Sequence, residues 1–201
     1  MLGIVAVLAA LVIPTALRSQ RAAERADSSA RLRAMSQAIL LYATDHQQTL
    51  PGPLWPGQVM LYDPLREGRL VRDIADYLQV ERKDTPYLAA QLIPHAYRRA
   101  MRGTKMDDAR IYVVNSAIDL EGGGKLEPFG VLTGPAVLAP LKLPQVQGLP
   151  AEDDWMIAET DQQHPAVASA AWKANTPALP VHGNARALAR FDGSVAWGQY
   201  P

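Results

Sequence analysis

The sequence predicts an α+β protein in which one long N-terminal helix packs against a small antiparallel β-sheet head. Three observations predict it. Residues 18–48 contain neither Pro nor Gly and directly continue an apolar run that opens the chain. From residue 110 the apolar spacing changes from a helical period to the two-residue alternation of strands. Near the C-terminus, Asp192-Gly193 stands between two short apolar segments, a hairpin signature. One helix followed by several short strands favours a sheet with the helix laid across one face.

The chain opens MLGIVAVLAALVIPTAL and meets its first charge at Arg18. As a helix this run spans roughly 26 Å, slightly less than a bilayer core. A cleaved secretory signal would need a basic segment ahead of the apolar run. A buried core helix would need a large core, because residues 1–13 are apolar on every side. We read residues 1–17 as membrane-inserting, with Pro14 as a kink that neighbouring groups tolerate in lipid. Residues 18–50 then form an amphipathic continuation. Leu32, Met35, Ile39 and Tyr42 recur at three- and four-residue steps and make the stripe expected to pack on the head, with Ala38, Ala43 and His46 near it. Arg31, Arg33 and Gln37 fall toward solvent. The helix is expected to end near Gln48–Thr49, ahead of Pro51, Gly52 and Pro53. Five arginines (18, 21, 25, 31 and 33) against Glu24 and Asp27 would, by the positive-inside rule, leave the head in the cytoplasm.

Residues 51–201 are read as the head. Its start, to Gly68, is a Pro-rich loop pinned to the core by Trp55 and Tyr62. Leu70, Ile74, Tyr77 and Leu78 predict a short helix over 69–80. Thr85-Pro86 has the chemistry of a helix start, with Pro94 as the stop beyond Leu92. ARIYVVNSAI (109–118), residues 129–139 and residues 155–160 are strand candidates. Gly122-Gly123-Gly124 is a loop and not a phosphate cradle, since no GKS/T or GxGxxG pattern accompanies it. Asp192-Gly193 fits a type I′ turn.

Lys+Arg and Asp+Glu are both 20, so no global charge argues for nucleic acid as a partner. There is no cysteine, which removes disulfide frameworks, thiolate metal sites and cysteine nucleophiles. The histidines (His46, His95, His164, His182) form no HExxH pattern, and there is no GxSxG.

VAVLAALVIP (5–14) and LRAMSQAILLYATDHQQTLP (32–51) resemble the N-terminal helix of bacterial type IV pilin-like and type II secretion pseudopilin-like proteins. His182, nine intervening residues, then Asp192-Gly193 resemble the H-x9-DG motif of the group of these proteins abundant in Planctomycetes and Verrucomicrobia. Asn115 in ARIYVVNSAI stands where that group has a strand asparagine, and PLKLPQV and WMIAETD resemble its late strands. Residues 52–109 resemble it only vaguely. The resemblance implies a pilin-like fold and a non-enzymatic subunit of a type IV pilus or type II secretion-like filament. It further implies an inner-membrane, single-pass anchor with the head in the periplasm, and a filament that reaches the cell surface. Partners would be copies of itself or related subunits, membrane lipid, and, by family habit, a prepilin peptidase and assembly machinery. The family's basic leader ending in Gly, its methylated Phe and early Glu are absent from these residues, so Met1 is expected to fall inside the family's mature helix. A basic leader would set the orientation against the arginine argument.

Other readings remain open at this stage: a membrane-tethered periplasmic binding or hydrolytic domain, or a secreted soluble protein. His182 with Asp192 could orient a general base, although packing and turn formation account for both. Glu152, Asp153, Asp154, Glu159 and Asp161 form an acidic group. Of these Asp153, Asp154 and Asp161, with His182, are the candidates for a metal, calcium being the ion such oxygens suit. A solvated loop with no cofactor is the preferred reading. Trp155, Trp172 and Trp197 are expected on the sheet or in the core.

Overall fold

The computed structural model describes residues 2–120, 123–132, 137–150 and 152–198, the side chains of 2–11 excepted. It is an α+β structure with one long N-terminal helix and a five-stranded antiparallel sheet. Helix α1 runs unbroken through Leu2–Asp45, with Pro14 inside it. At 1.5 Å per residue its 44 residues extend about 66 Å. The strands are β1 (Gly57–Gln58), β2 (Leu61–Tyr62), β3 (Tyr87–Leu88), β4 (Tyr112–Val114), β5 (Ile118–Asp119), β6 (Lys125–Leu126), β7 (Trp155–Glu159), β8 (Arg186–Arg190) and β9 (Val195–Gly198). The main sheet has the order β1-β4-β7-β8-β9, every pair antiparallel. Two further helices are short, α2 (Leu70–Asp73) and α3 (His95–Ala100).

The core lies between α1 and one face of this sheet. Leu32, Met35 and Ile39 are fully buried in it, Ala38 and Ala43 nearly or fully so, and Tyr42 packs against it half-exposed. Leu32, Met35, Ala38 and Ile39 share one cluster with Tyr112, Val114, Ile157, Ala187 and Ala189. The opposite sheet face carries a small second cluster of Val113, Ala158 and Leu188 under Trp155 and Trp172. The alternation of strand side chains thus sorts the sheet into a helix-facing side and an outer side.

α3 is tied to α1 by charge. Asp27 accepts from the His95 backbone N–H (2.9 Å) and ring Nδ1 (3.0 Å), and from Arg31 (2.8 Å). Burial raises the Asp27 pKa, but the Arg31 and His95 hydrogen bonds outweigh it and hold the group at about 2. Glu24 pairs with Arg99 of α3. Arg31 is therefore half-buried in an ion pair, not solvated as its spacing predicts.

Several other expectations are corrected. α1 ends at Asp45, three residues early, where Gln47 and Gln48 turn left-handed and the Gln48 N–H bonds to Ala43 O at 2.7 Å. His46 is exposed, stacked on Tyr42 with ring centroids 3.8 Å apart. Trp55 does not pin the loop to the core: it is exposed and lies on Gly68, where a Cβ would meet its ring at 2.3 Å. Tyr62 is buried as expected. The helix over 69–80 is two separate turns, α2 and a 3-10 turn at Asp76–Leu78. Residues after Thr85-Pro86 form strand β3, held by β2, and not a helix. Pro94 starts α3 where a stop is predicted. Residues 129–139 hold only the isolated bridge Val131–Leu138, with 133–136 outside the described residues. Gly123 and Gly124 lie in the β5–β6 turn with positive φ, and Gly122 is outside the described residues.

Burial raises the Asp73 pKa to about 6, against the lowering influence of Arg72 and Arg82. Its raised pKa means that Asp73 favours the fold below 3.8, and that this contribution is lost as pH rises through about 6. Asp73→Asn is expected to raise stability at pH 8 by about 2 kcal/mol and to flatten its slope between pH 4 and 6. Urea unfolding across that range checks it. An unchanged slope overturns the assignment.

Candidate functional site

The functional features cluster on α1, which divides into a held part and a free part. From Ser28 onward its inner face is buried in the head. Residues 12–23 are exposed throughout, and Val12, Ile13 and Leu17 stand 60%, 58% and 49% exposed. Residues 12–23 of α1 make about 18 Å of exposed helix. Most of the apolar run 1–17 falls on residues whose side chains are not described. Among the described residues no helix is long and apolar enough to cross a membrane.

The residues of the C-terminal motif grip the held part at two stations. At the first, His182 Nε2 and Ser28 Oγ share a hydrogen bond of 2.9 Å, both side chains buried. The Glu159 carboxylate lies 3.5 Å from the same ring nitrogen and accepts the Ala187 N–H at 3.0 Å through its other oxygen. The His182 carbonyl accepts from Arg25 (3.2 Å), and its ring meets Trp197 edge-on at 5.0 Å. Trp197 in turn donates to Ser29 Oγ (3.1 Å) and lies under the Arg25 guanidinium.

The second station is the β8–β9 hairpin tip. Gly193 N–H bonds to Arg190 O (3.0 Å), and Arg190 N–H to Ser194 O (2.9 Å). Gly193 alone has positive φ, +86°, and Asp192 does not. The turn is therefore a three-residue loop closed by a left-handed glycine, not the type I′ turn that Asp-Gly predicts. Asp192 Oδ1 accepts the Ser194 N–H at 2.8 Å, which holds its carboxyl below the usual range. A Cβ on Gly193 would lie 2.9 Å from Leu40 Cδ1 of α1. The glycine thus serves both the backbone and the close approach to the helix.

His182 and Asp192 do not form a pair. One meets α1 at Ser28 and the other sits beside the glycine that meets Leu40, about 18 Å further along the helix. The Ser28–His182–Glu159 group is also no relay, since serine and carboxylate converge on one ring nitrogen and Ser28 is fully buried. Nothing in the sequence signals this group, since Ser28 lies more than a hundred residues before Glu159 and His182. Asn115 ties β4 to the start of β7, donating to Asp153 O (3.0 Å) and Trp155 O (2.9 Å).

The acidic group is not brought together. Asp161 is buried against Arg186 (2.9 Å), Glu159 faces His182, and Asp154 faces Arg190 (3.6 Å). Asp153 contributes its backbone carbonyl to Asn115. Among the described residues no three His, Asp or Glu side chains are placed to hold a metal ion. Asp153, Asp154, Asp161 and His182 therefore do not form one ligand set.

His182→Ala is expected to cost about 2 kcal/mol, by leaving Ser28 and Glu159 buried without their shared neighbour. The double variant with Glu159→Gln should lose less than the sum of the two single losses. Strict additivity in urea unfolding would show that the contact carries nothing.

Comparison with protein-family models, with curated proteins and with solved structures gives no match for this chain.

Proposed function

We propose that this chain is a non-enzymatic, pilin-like (pseudopilin-like) subunit of a type IV pilus or type II secretion-like filament. Before assembly the N-terminal helix holds it in the inner membrane as a single pass, with the head in the periplasm. The observation that carries this reading is the division of α1. One unbroken helix is core for the head at one end and a bare rod with apolar side chains exposed at the other. Exposed apolar surface on a projecting rod calls for a cover, and lipid or the same rod of another copy are the two covers that fit. The two occupancies exclude each other, so assembly is an exchange of lipid contact for helix contact. Repeated contact of one copy's rod with the next does not close on itself and yields a helical filament. The motif residues His182 and Gly193 serve this design by fixing the head on the rod. Processing by a prepilin peptidase and handling by assembly machinery follow from the family resemblance.

The test is site-specific crosslinking in cells. A photoreactive benzoylphenylalanine in place of Ala16, on the exposed rod, should yield a ladder of covalent multiples of the chain. The same probe at Leu65, 88% exposed on the head, should yield far fewer. Lipid adducts without multimers from position 16 would support a tethered domain that never polymerises, and would remove the filament reading.

A further inference from the structure

Where α1 leaves the head there is a cleft of about 650 Å³, lined by Arg18, Arg21, Glu24 and Arg25 of α1, Arg99 of α3 and the loop 181–184. Four guanidiniums face one carboxylate, a local net charge of +3 on a chain whose total is zero. The cations are not equally engaged. Arg99 is paired with Glu24, and Arg25 is held by the His182 carbonyl and the Trp197 ring. Arg18 and Arg21 are exposed and form no ion pair among the described residues. Arg25 and Arg99 are thus fixed walls, and Arg18 and Arg21 are free arms at the mouth. Like charges gathered this closely repel one another, and an anion between them would relieve the repulsion.

The cleft's position selects the anion. Arg18 follows directly on Leu17, the last side chain of the apolar segment. With that segment in lipid, the mouth opens at headgroup depth. Guanidinium forks match phosphate oxygens in pairs, and the cleft volume lies within the range of sites for small organic groups. We infer that this cleft binds the phosphate-bearing headgroup of an anionic phospholipid beside the base of the rod. The inference rests on the reading of α1 as a membrane anchor. It also accounts for the excess of arginine on the side of the membrane where the positive-inside rule disfavours it. Each such residue near an anionic headgroup adds to the attraction. A seated headgroup would orient the head over the bilayer, and it would have to be released when the rod leaves the lipid.

Native mass spectrometry of the full chain in detergent micelles tests this, titrating dioleoyl phosphatidylglycerol, dioleoyl phosphatidylcholine and inorganic phosphate. Phosphatidylglycerol is expected to bind at least tenfold more tightly than phosphatidylcholine, and millimolar phosphate should fail to displace it. Arg18→Gln with Arg21→Gln should remove that tenfold preference without moving the melting temperature. Lys105→Gln with Lys125→Gln, the same charge removed from exposed sites elsewhere on the head, should leave it intact. Equal binding of the two lipids, or equal losses in both double variants, overturns the proposal. Full displacement by inorganic phosphate also overturns it, in favour of a soluble-anion site. The anchor reading fails separately: in that case the chain does not associate with phosphatidylcholine vesicles at all.

Discussion

A chain carrying Val12→Asp and Ile13→Asp is expected to leave the membrane fraction while its head melts at the parent's temperature. Both side chains stand more than half exposed on the free segment of α1, so the fold loses almost nothing when they change. In lipid the same changes are severe. An aspartate near the centre of a spanning helix costs about 3 kcal/mol, and somewhat less toward an edge. Two together should therefore cost about 3–5 kcal/mol, a loss of partitioning of a hundredfold or more. Fractionation of cells and thermal melting of the purified protein read the two effects separately. Retention in the membrane with a stable head would remove the anchoring role of this segment. A collapse of the head would mean that the segment belongs to the folded core.

The second large effect is expected at the hairpin tip. Gly193→Val should destabilise the protein by about 3–5 kcal/mol, which exceeds the loss expected from any change to Asp192. Two independent penalties add. A β-branched residue at φ +86° is strained by roughly 1–2 kcal/mol. Its Cβ would also press on Leu40 Cδ1 from 2.9 Å, forcing the hairpin off α1 or the leucine off its seat. Asp192→Ala removes only the bond to the Ser194 N–H and should cost about 1 kcal/mol or less. Urea unfolding of the three proteins orders them. If Gly193→Val falls within 1 kcal/mol of the parent, the hairpin is not seated on the helix as described.

What the sequence made legible is what local spacing controls. Leu32, Met35 and Ile39 recur at helical steps, and burial follows the stripe. Tyr112–Val114 and Trp155–Glu159 read as strands because β-branched and aromatic residues cluster there. Asp192-Gly193 announced a hairpin but not its class, because a left-handed glycine serves two turn types and the loop length decides between them. Where tertiary partners decide, local reading failed. Tyr87–Leu88 became a strand because β2 offered it an edge, despite a helix-start signature before it. Pro94 fits either end of a helix, and here it begins one that Asp27, far away in the sequence, helps to cap. Arg31 looked solvated until α3 brought His95 to the same carboxylate. The site was legible only in part. His182 and Gly193 could be singled out, but their contacts with Ser28 and Leu40 on the rod could not.

From Thr15 to Asp45 the helix contains no glycine and no proline. The same backbone that leaves the head also runs beneath its sheet, with no joint between. Tension applied at the free end is therefore delivered along the axis into several lateral contacts at once, from Ser28 to Leu40. Contacts loaded together in shear share the force and give way together. The head should follow a pulled rod as a single rigid load, and a yank strong enough to part the two should unravel the sheet in one cooperative step.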